Sequence, residues 1–117
     1  MQHQVKVTVL DKKLYPELQA AYCKDKESGV CPCFQVGDEF LFRRDDECDD
    51  FWHFGRDLDP KFPCAEAWDC ISRYIYAGLQ GGSIMKGWMA EENTMIACCN
   101  DGTRPVIFKI ERIDIDR

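Results

Sequence analysis

Between Cys64 and Leu79 the apolar side chains fall at Cys64, Ala67, Trp68, Ile71, Tyr74, Ile75, Gly78 and Leu79. That i, i+3, i+4, i+7 stripe is one buried face of a helix, and the rest of the chain must pack against it. Pro63 stands where a first helical turn tolerates a missing N–H. Glu66 falls where the helix dipole favours a carboxylate. Gly81-Gly82 follow as a stop that accepts a left-handed backbone. The spacing therefore predicts a helix over about 64–80.

Shorter signals surround it. Val5, Val7 and Val9 alternate with polar residues, the pattern of a half-buried strand. Leu14, Leu18 and Ala21 suit a short helix with Pro16 in its first turn. The stretch 23–29 is charged and ends in Ser-Gly, which reads as a loop. Gly37-Asp38 marks a turn into a Phe-rich strand over Glu39–Arg43. Near the C-terminus, Asn100-Asp-Gly-Thr103 separates the apolar runs 94–99 and 104–110, a hairpin signal. A two-residue Asp101-Gly102 turn would set Cys99 opposite Arg104, Ala97 opposite Val106 and Met95 opposite Phe108. Met95, Ala97, Cys99, Val106, Phe108 and Ile110 would then share the core face, with Cys98 pointing away. The apolar phase changes after Ile110, which predicts a bulge or a sheet end near Glu111-Arg112.

These elements predict an α+β fold: a single domain over 1–117, a mostly antiparallel sheet packed on one main helix, and a C-terminal β-hairpin. A chain of 117 residues can bury one core without staples. Trp52, Trp68 and Trp88, with Phe34, Phe40 and Phe42, read as core side chains. No apolar run approaches the ~20 residues of a membrane span. The opening residues carry neither the basic nor the apolar region of a secretion signal, so a cytoplasmic protein is expected.

Charge narrows the function classes. The formal net charge is −6. Seven acids (Asp45, Asp46, Glu47, Asp49, Asp50, Asp57 and Asp59) stand against the single base Arg56 between 45 and 59, while the remaining 14 acids are matched by 14 bases. Nucleic-acid binders draw their affinity from neutralised phosphates, so that class is set aside. The acidic run lacks the ligand spacing and the glycine of an EF-hand loop, and reads as a solvated loop with aromatic residues in it.

Eight cysteines are many for a chain of this length. In a reducing compartment they read as free thiols, metal ligands or redox thiols rather than disulfides. An unpaired cysteine is more often a small buried hydrophobe than a ligand. Cys31-Pro-Cys33 sets two thiols on one side of an extended segment, whereas Cys98 and Cys99 point to opposite faces of a strand. No Cys-x-x-Cys occurs, so a zinc or iron–sulfur site would need distant segments, such as Cys31 and Cys33 with Cys64 or Cys98. Cys64 is singled out by its place at a helix start, where a thiolate is stabilised. Cys70 lies about 120° round the helix and should not join it. His53, among carboxylates, is a candidate acid or base. Arg104 is expected to pair with Asp101 or with a ligand carboxylate.

Cys31-Pro, Val36-Gly-Asp-Glu-Phe40, Cys64-x-x-Ala67-Trp68-x-x-Ile71, Leu79-x-Gly81-Gly82 and Cys98-Cys99-x-Asp101-Gly102-x-Arg104-Pro105-Val106-x-Phe108 together resemble a family of small uncharacterised proteins known mostly from anaerobic bacteria and archaea. The family's Cys-Pro-Trp-Ala-Trp is here Cys64-Ala-Glu-Ala-Trp68. Its Gly-Gly-Asn-Phe-Pro-Trp is here Gly81-Gly-Ser-Ile-Met-Lys-Gly-Trp88. The resemblance implies a domain identity and an anaerobic redox setting, with no catalytic residues to carry over.

The leading expectation is an accessory protein using Cys31, Cys33, Cys64 and Cys98 or Cys99, supported by Trp68, Arg104 and His53, for thiol redox chemistry or for binding zinc or an iron–sulfur group. The alternative is a protein–protein interaction module that docks through the acidic aromatic segment 45–59. An enzyme with Cys64 as nucleophile ranks third, because no base is positioned by the sequence.

Overall fold

The computed structural model describes residues 2–45, 49–51 and 62–116. Its elements run β1 (Gln2–Lys12), α1 (Pro16–Tyr22), β2 (Glu39–Arg43), α2 (Ala65–Leu79), β3 (Thr94–Cys98) and β4 (Val106–Ile115). The four strands form one antiparallel sheet in the order β2-β1-β4-β3, and α2 covers one face of it. This is the α+β fold, with its C-terminal hairpin, that the periodicities imply.

The helix face follows the stripe. Ala67, Ile71, Tyr74, Ile75, Gly78 and Leu79 are buried. They meet Val5, Val7 and Val9 of β1, Phe40 and Phe42 of β2, and Val106, Phe108 and Ile110 of β4. Strand side chains alternate between faces, so each strand supplies every second residue. Phe34 and Phe62, from outside the strands, complete the aromatic end of this core. The Phe34 ring packs edge-on against Phe108 with centroids 5.1 Å apart, and Phe62 packs against Phe40 at 5.0 Å.

Both ends of α2 are closed by local chemistry. Cys64 is the N-cap, which puts Pro63 just ahead of the helix rather than inside its first turn. At the other end the Gly82 N–H bonds Ala77 O at 3.0 Å and the Gly81 N–H bonds Gly78 O at 3.0 Å. Gly81 has φ +79°, so this pair is a Schellman stop, which the sequence signals. The His3 ring fills the space a Gly81 side chain would need. Arg112 Nη1 donates to both Gly81 O and Gly82 O.

Several details differ from the sequence reading. The hairpin register pairs Ala97 with Phe108 and Met95 with Ile110, two residues away from the two-residue-turn alignment. A type I′ turn needs positive φ at both central residues, and neither Asp101 nor Gly102 has it. Asp101 instead accepts the Thr103 N–H at 2.9 Å, which lengthens the loop. A slip of two keeps every side chain on its face, so Cys99 still turns toward the core and Cys98 is exposed. The sheet irregularity lies in β1 between Val9 and Asp11, not near Glu111. β4 alternates without a break here, so Ile113 and Ile115 lie on the opposite face while Arg112 takes the core side and turns to the end of α2. In α1 the buried side chain is Gln19, while Leu18 and Ala21 are exposed. Trp88 is 75% exposed and is not a core residue.

Candidate functional site: a thiol-lined cavity

The site begins with the segment that carries Cys31 and Cys33. It has no regular structure, so side chains hold it in place. Gln19, only 2% exposed, clamps it at Gly29. Its Nε2 donates to Gly29 O at 3.0 Å and its Oε1 accepts the Gly29 N–H at 3.0 Å. Gly29 has φ +83°, which a side chain would oppose. Further along, Lys12 Nζ donates to Cys31 O at 2.9 Å. Phe34, in the aromatic core, anchors the far end.

Cys64 arrives from α2. Its sulfur accepts the Ala67 N–H at 3.4 Å, taking one of the donors that a helix start leaves free. Cys99 arrives from the end of β3. Its N–H bonds Val106 O at 3.2 Å, and its sulfur accepts the Val106 N–H at 3.4 Å. The loop that follows is pinned to the chain between β1 and α1, with the Lys13 N–H on Pro105 O and the Tyr15 N–H on Thr103 O, each 2.9 Å.

These pieces enclose a cavity of about 180 Å³. Cys31, Cys33, Cys64 and Cys99 line it, over Phe34 and Val106. Its polar rim is Glu66, Asn100, Asp101 and Arg104. Asp101 Oδ2 accepts Arg104 Nε at 3.3 Å, and Arg104 Nη1 donates to Ser28 Oγ at 3.1 Å, so the expected structural pairing of Arg104 is present. The Thr103 N–H holds the Asp101 carboxyl below the ordinary aspartate range, with Arg104 adding to the effect. Loss of water at the cavity mouth, followed by the neighbouring Cys31 and then Cys64, pushes the Cys33 thiol above the ordinary cysteine value. Arg104 pulls it the other way.

The sequence candidates therefore divide. Cys31, Cys33, Cys64, Cys99 and Arg104 come together. Cys98 does not join them, and with Cys70 it lines a separate groove. Trp68 sits in an aromatic group with Phe42 and Phe51, each 5.5 Å away between centroids, and does not line the cavity. His53 and most of the acidic segment lie outside the described residues, so the docking surface expected there does too. Within the described part, Asp50 is fully buried and accepts the Arg43 N–H at 2.7 Å. None of the described cysteines is fully buried, against the ordinary expectation for free thiols.

Among the described residues no group of three or more His, Cys, Asp or Glu side chains is arranged to hold a metal ion. The zinc and iron–sulfur expectations thus find no ligand set there. Also among them, no helix is long and apolar enough to cross a membrane. Gln19, Lys12, Glu66 and Asn100 are site residues that the sequence reading missed. A glutamine on a seven-residue helix carries no local mark that it will be buried. No family model, curated protein or solved structure matches the chain, so the site rests on its own geometry.

Proposed function

We propose that this protein exchanges thiols with disulfides, using Cys31, Cys33, Cys64 and Cys99. The observation that carries this reading is that four thiols from three separated stretches line one small cavity without forming a metal-ligand set. Exchange needs a nucleophilic sulfur and a second thiol within reach to resolve the mixed disulfide. Cys64 is the nucleophile: its sulfur sits at the positive end of α2 and already accepts a backbone N–H, so negative charge there meets a donor. Cys33, whose thiol is pushed up, holds its proton until the resolving step.

The substrate is a disulfide. Attack by the Cys64 thiolate forms one S–S bond as the substrate's S–S bond breaks, and the leaving thiolate takes a proton. A second cavity thiol then attacks the Cys64 sulfur and releases the second substrate thiol. Two electrons and two protons pass from the protein dithiol to the substrate, leaving a protein disulfide.

The test is stepwise oxidation of oxygen-free protein with a symmetric small disulfide, with alkylation and peptide mapping at each step and metal analysis of the starting material. The expected result is a reversible disulfide confined to Cys31, Cys33, Cys64 and Cys99. Thiols that stay reduced under a reagent that oxidises a reference dithiol, or stoichiometric metal in the purified protein, would overturn the reading.

A further inference from the structure

A second concave surface lies beside the cavity. A groove of about 410 Å³ runs between α2 and β3, lined by Asp69, Cys70, Arg73 and Tyr74 on one side and by Ala97 and Cys98 on the other. The next residues along the same two elements, Glu66 and Cys64 on α2 and Cys99 and Asn100 after β3, line the thiol cavity. Groove and cavity thus lie end to end, with the Asn100–Glu66 hydrogen bond where they meet.

One wall of the groove is a sheet edge. Among the described residues β3 pairs with β4 alone. The Cys99 N–H bonds Val106 O, and the Arg112 N–H bonds Asn93 O, so the odd-numbered residues of this strand direct their backbone bonds to β4. By the alternation of an antiparallel ladder, the N–H and C=O of Ile96 and Cys98 point outward. Such an edge accepts an added strand.

We infer that the disulfide substrate is an extended, basic stretch of polypeptide that pairs with the free edge of β3 and delivers its disulfide into the cavity. This inference rests on the exchange reading above. Size favours a polypeptide, because about 180 Å³ is smaller than the ~300 Å³ at which pockets begin to enclose whole small ligands. The cavity takes a side chain, and the groove takes the chain that bears it. Charge fixes the sign. Glu66 and Asp69 are exposed on α2, and Glu91 and Glu92 are exposed just before β3. Against them stands Arg73, whose Nη2 donates to Tyr74 Oη at 2.8 Å. A second copy of this chain would bring the same acids against themselves across the edge, and the chain is already at −6.

The probe is a synthetic peptide of alternating lysine and threonine around one cysteine, held as a mixed disulfide with thionitrobenzoate. A glutamate analogue and the small parent disulfide serve as references. The lysine peptide should react about tenfold faster than the glutamate analogue at low salt, with the gap closing as salt rises. Ile96→Pro removes an outward N–H at a place where an edge strand tolerates proline, and should slow the lysine peptide about 3- to 10-fold while leaving the small disulfide unchanged. Asp69→Lys, on the exposed helix surface, should shrink the preference for lysine. A serine version of the peptide, which cannot exchange, should shift the Ile96 and Cys98 amide resonances.

Equal rates for the two peptides, or variants without effect, would overturn the inference while the exchange reading stands. Silence at both amides would do the same. Dimerisation abolished by Ile96→Pro would assign the edge to a second copy instead. If the small disulfide leaves all four thiols reduced, both readings fall.

Discussion

Asn100 Nδ2 donates to Glu66 Oε2 across 3.1 Å, tying the loop after β3 to the first turn of α2. That bond joins two elements whose ends carry Cys99 and Cys64, and both of its residues line the cavity rim. Asn100→Ala should loosen the rim there. Alkylation of Cys64 and Cys99 should then quicken with little loss of stability, because an exposed hydrogen bond of this kind contributes about 1 kcal/mol or less. Rate constants by mass spectrometry beside a thermal melt check it, and unchanged rates count against a role for that bond at the rim.

Cys64 is the N-cap of α2 and, in the proposed exchange, the nucleophile, and substitution separates the two. Serine is a stronger N-cap than a thiol, so Cys64→Ser should hold or raise stability while abolishing exchange. Cys64→Ala should also abolish exchange and cost about 0.5–1 kcal/mol through the lost cap. Denaturant unfolding of the two variants, with exchange rates beside it, distinguishes cap from nucleophile. Exchange that survives in the serine variant removes Cys64 from the mechanism.

Gln19 makes two hydrogen bonds to Gly29 from a nearly sealed position. Gln19→Leu leaves the Gly29 N–H and C=O without those partners and should cost about 2 kcal/mol. Cys31 and Cys33, just beyond the clamp, should exchange hydrogen isotopes and alkylate faster. If hydrogen exchange around residues 29–33 is unaltered, Gln19 does not hold the thiol segment.

Gly78 inside α2 and Gly81 just past its end should resist alanine for different reasons. At Gly78 an added Cβ would stand 2.5 Å from Val5 Cγ2, so the usual gain in helix propensity is outweighed by overpacking of about 1–3 kcal/mol. At Gly81 the backbone is left-handed and the His3 ring fills the space, so alanine should cost about 1–2 kcal/mol. Removing the ring with His3→Ala should recover part of the loss at Gly81 and none at Gly78. A double-mutant cycle by thermal unfolding reads both.

Asp101 titrates below the ordinary aspartate value in the folded protein. A carboxyl lowered by folding adds stability that is complete above about pH 4 and is lost as pH falls through its folded value. Asp101→Asn keeps an oxygen for the Thr103 N–H but carries no charge, so stability should fall less steeply between about pH 4 and pH 2. For Cys33, pushed upward, alkylation should still be accelerating above about pH 8.5, and Arg104→Ala should move that rise to higher pH. A Cys33 profile that levels off below pH 8.5 contradicts the assignment of its proton.

Local periodicity made much of this architecture legible. The 3.6-residue repeat located α2 and its buried face, Gly81-Gly82 marked its end, and β2 falls on Glu39–Arg43 as the Phe-rich run indicated. The two-residue repeat assigned Cys99 inward and Cys98 outward. Those assignments survived a hairpin register displaced by two, because a displacement of two preserves the face.

What those residues determine alone is therefore which side of its own helix or strand each one occupies, since that depends on backbone repeats of 3.6 and 2 and on neighbours a few positions away. Tertiary structure decided the rest: that Asp101 folds onto Thr103 and resets the hairpin, that a polar Gln19 takes an inward place beside Gly29, that His3 fills the gap left by Gly81. It also decided that Cys31 and Cys33 line one cavity with Cys64 and Cys99. Distances between remote stretches are set by how a whole sheet packs on a helix, and no spacing along the chain encodes them.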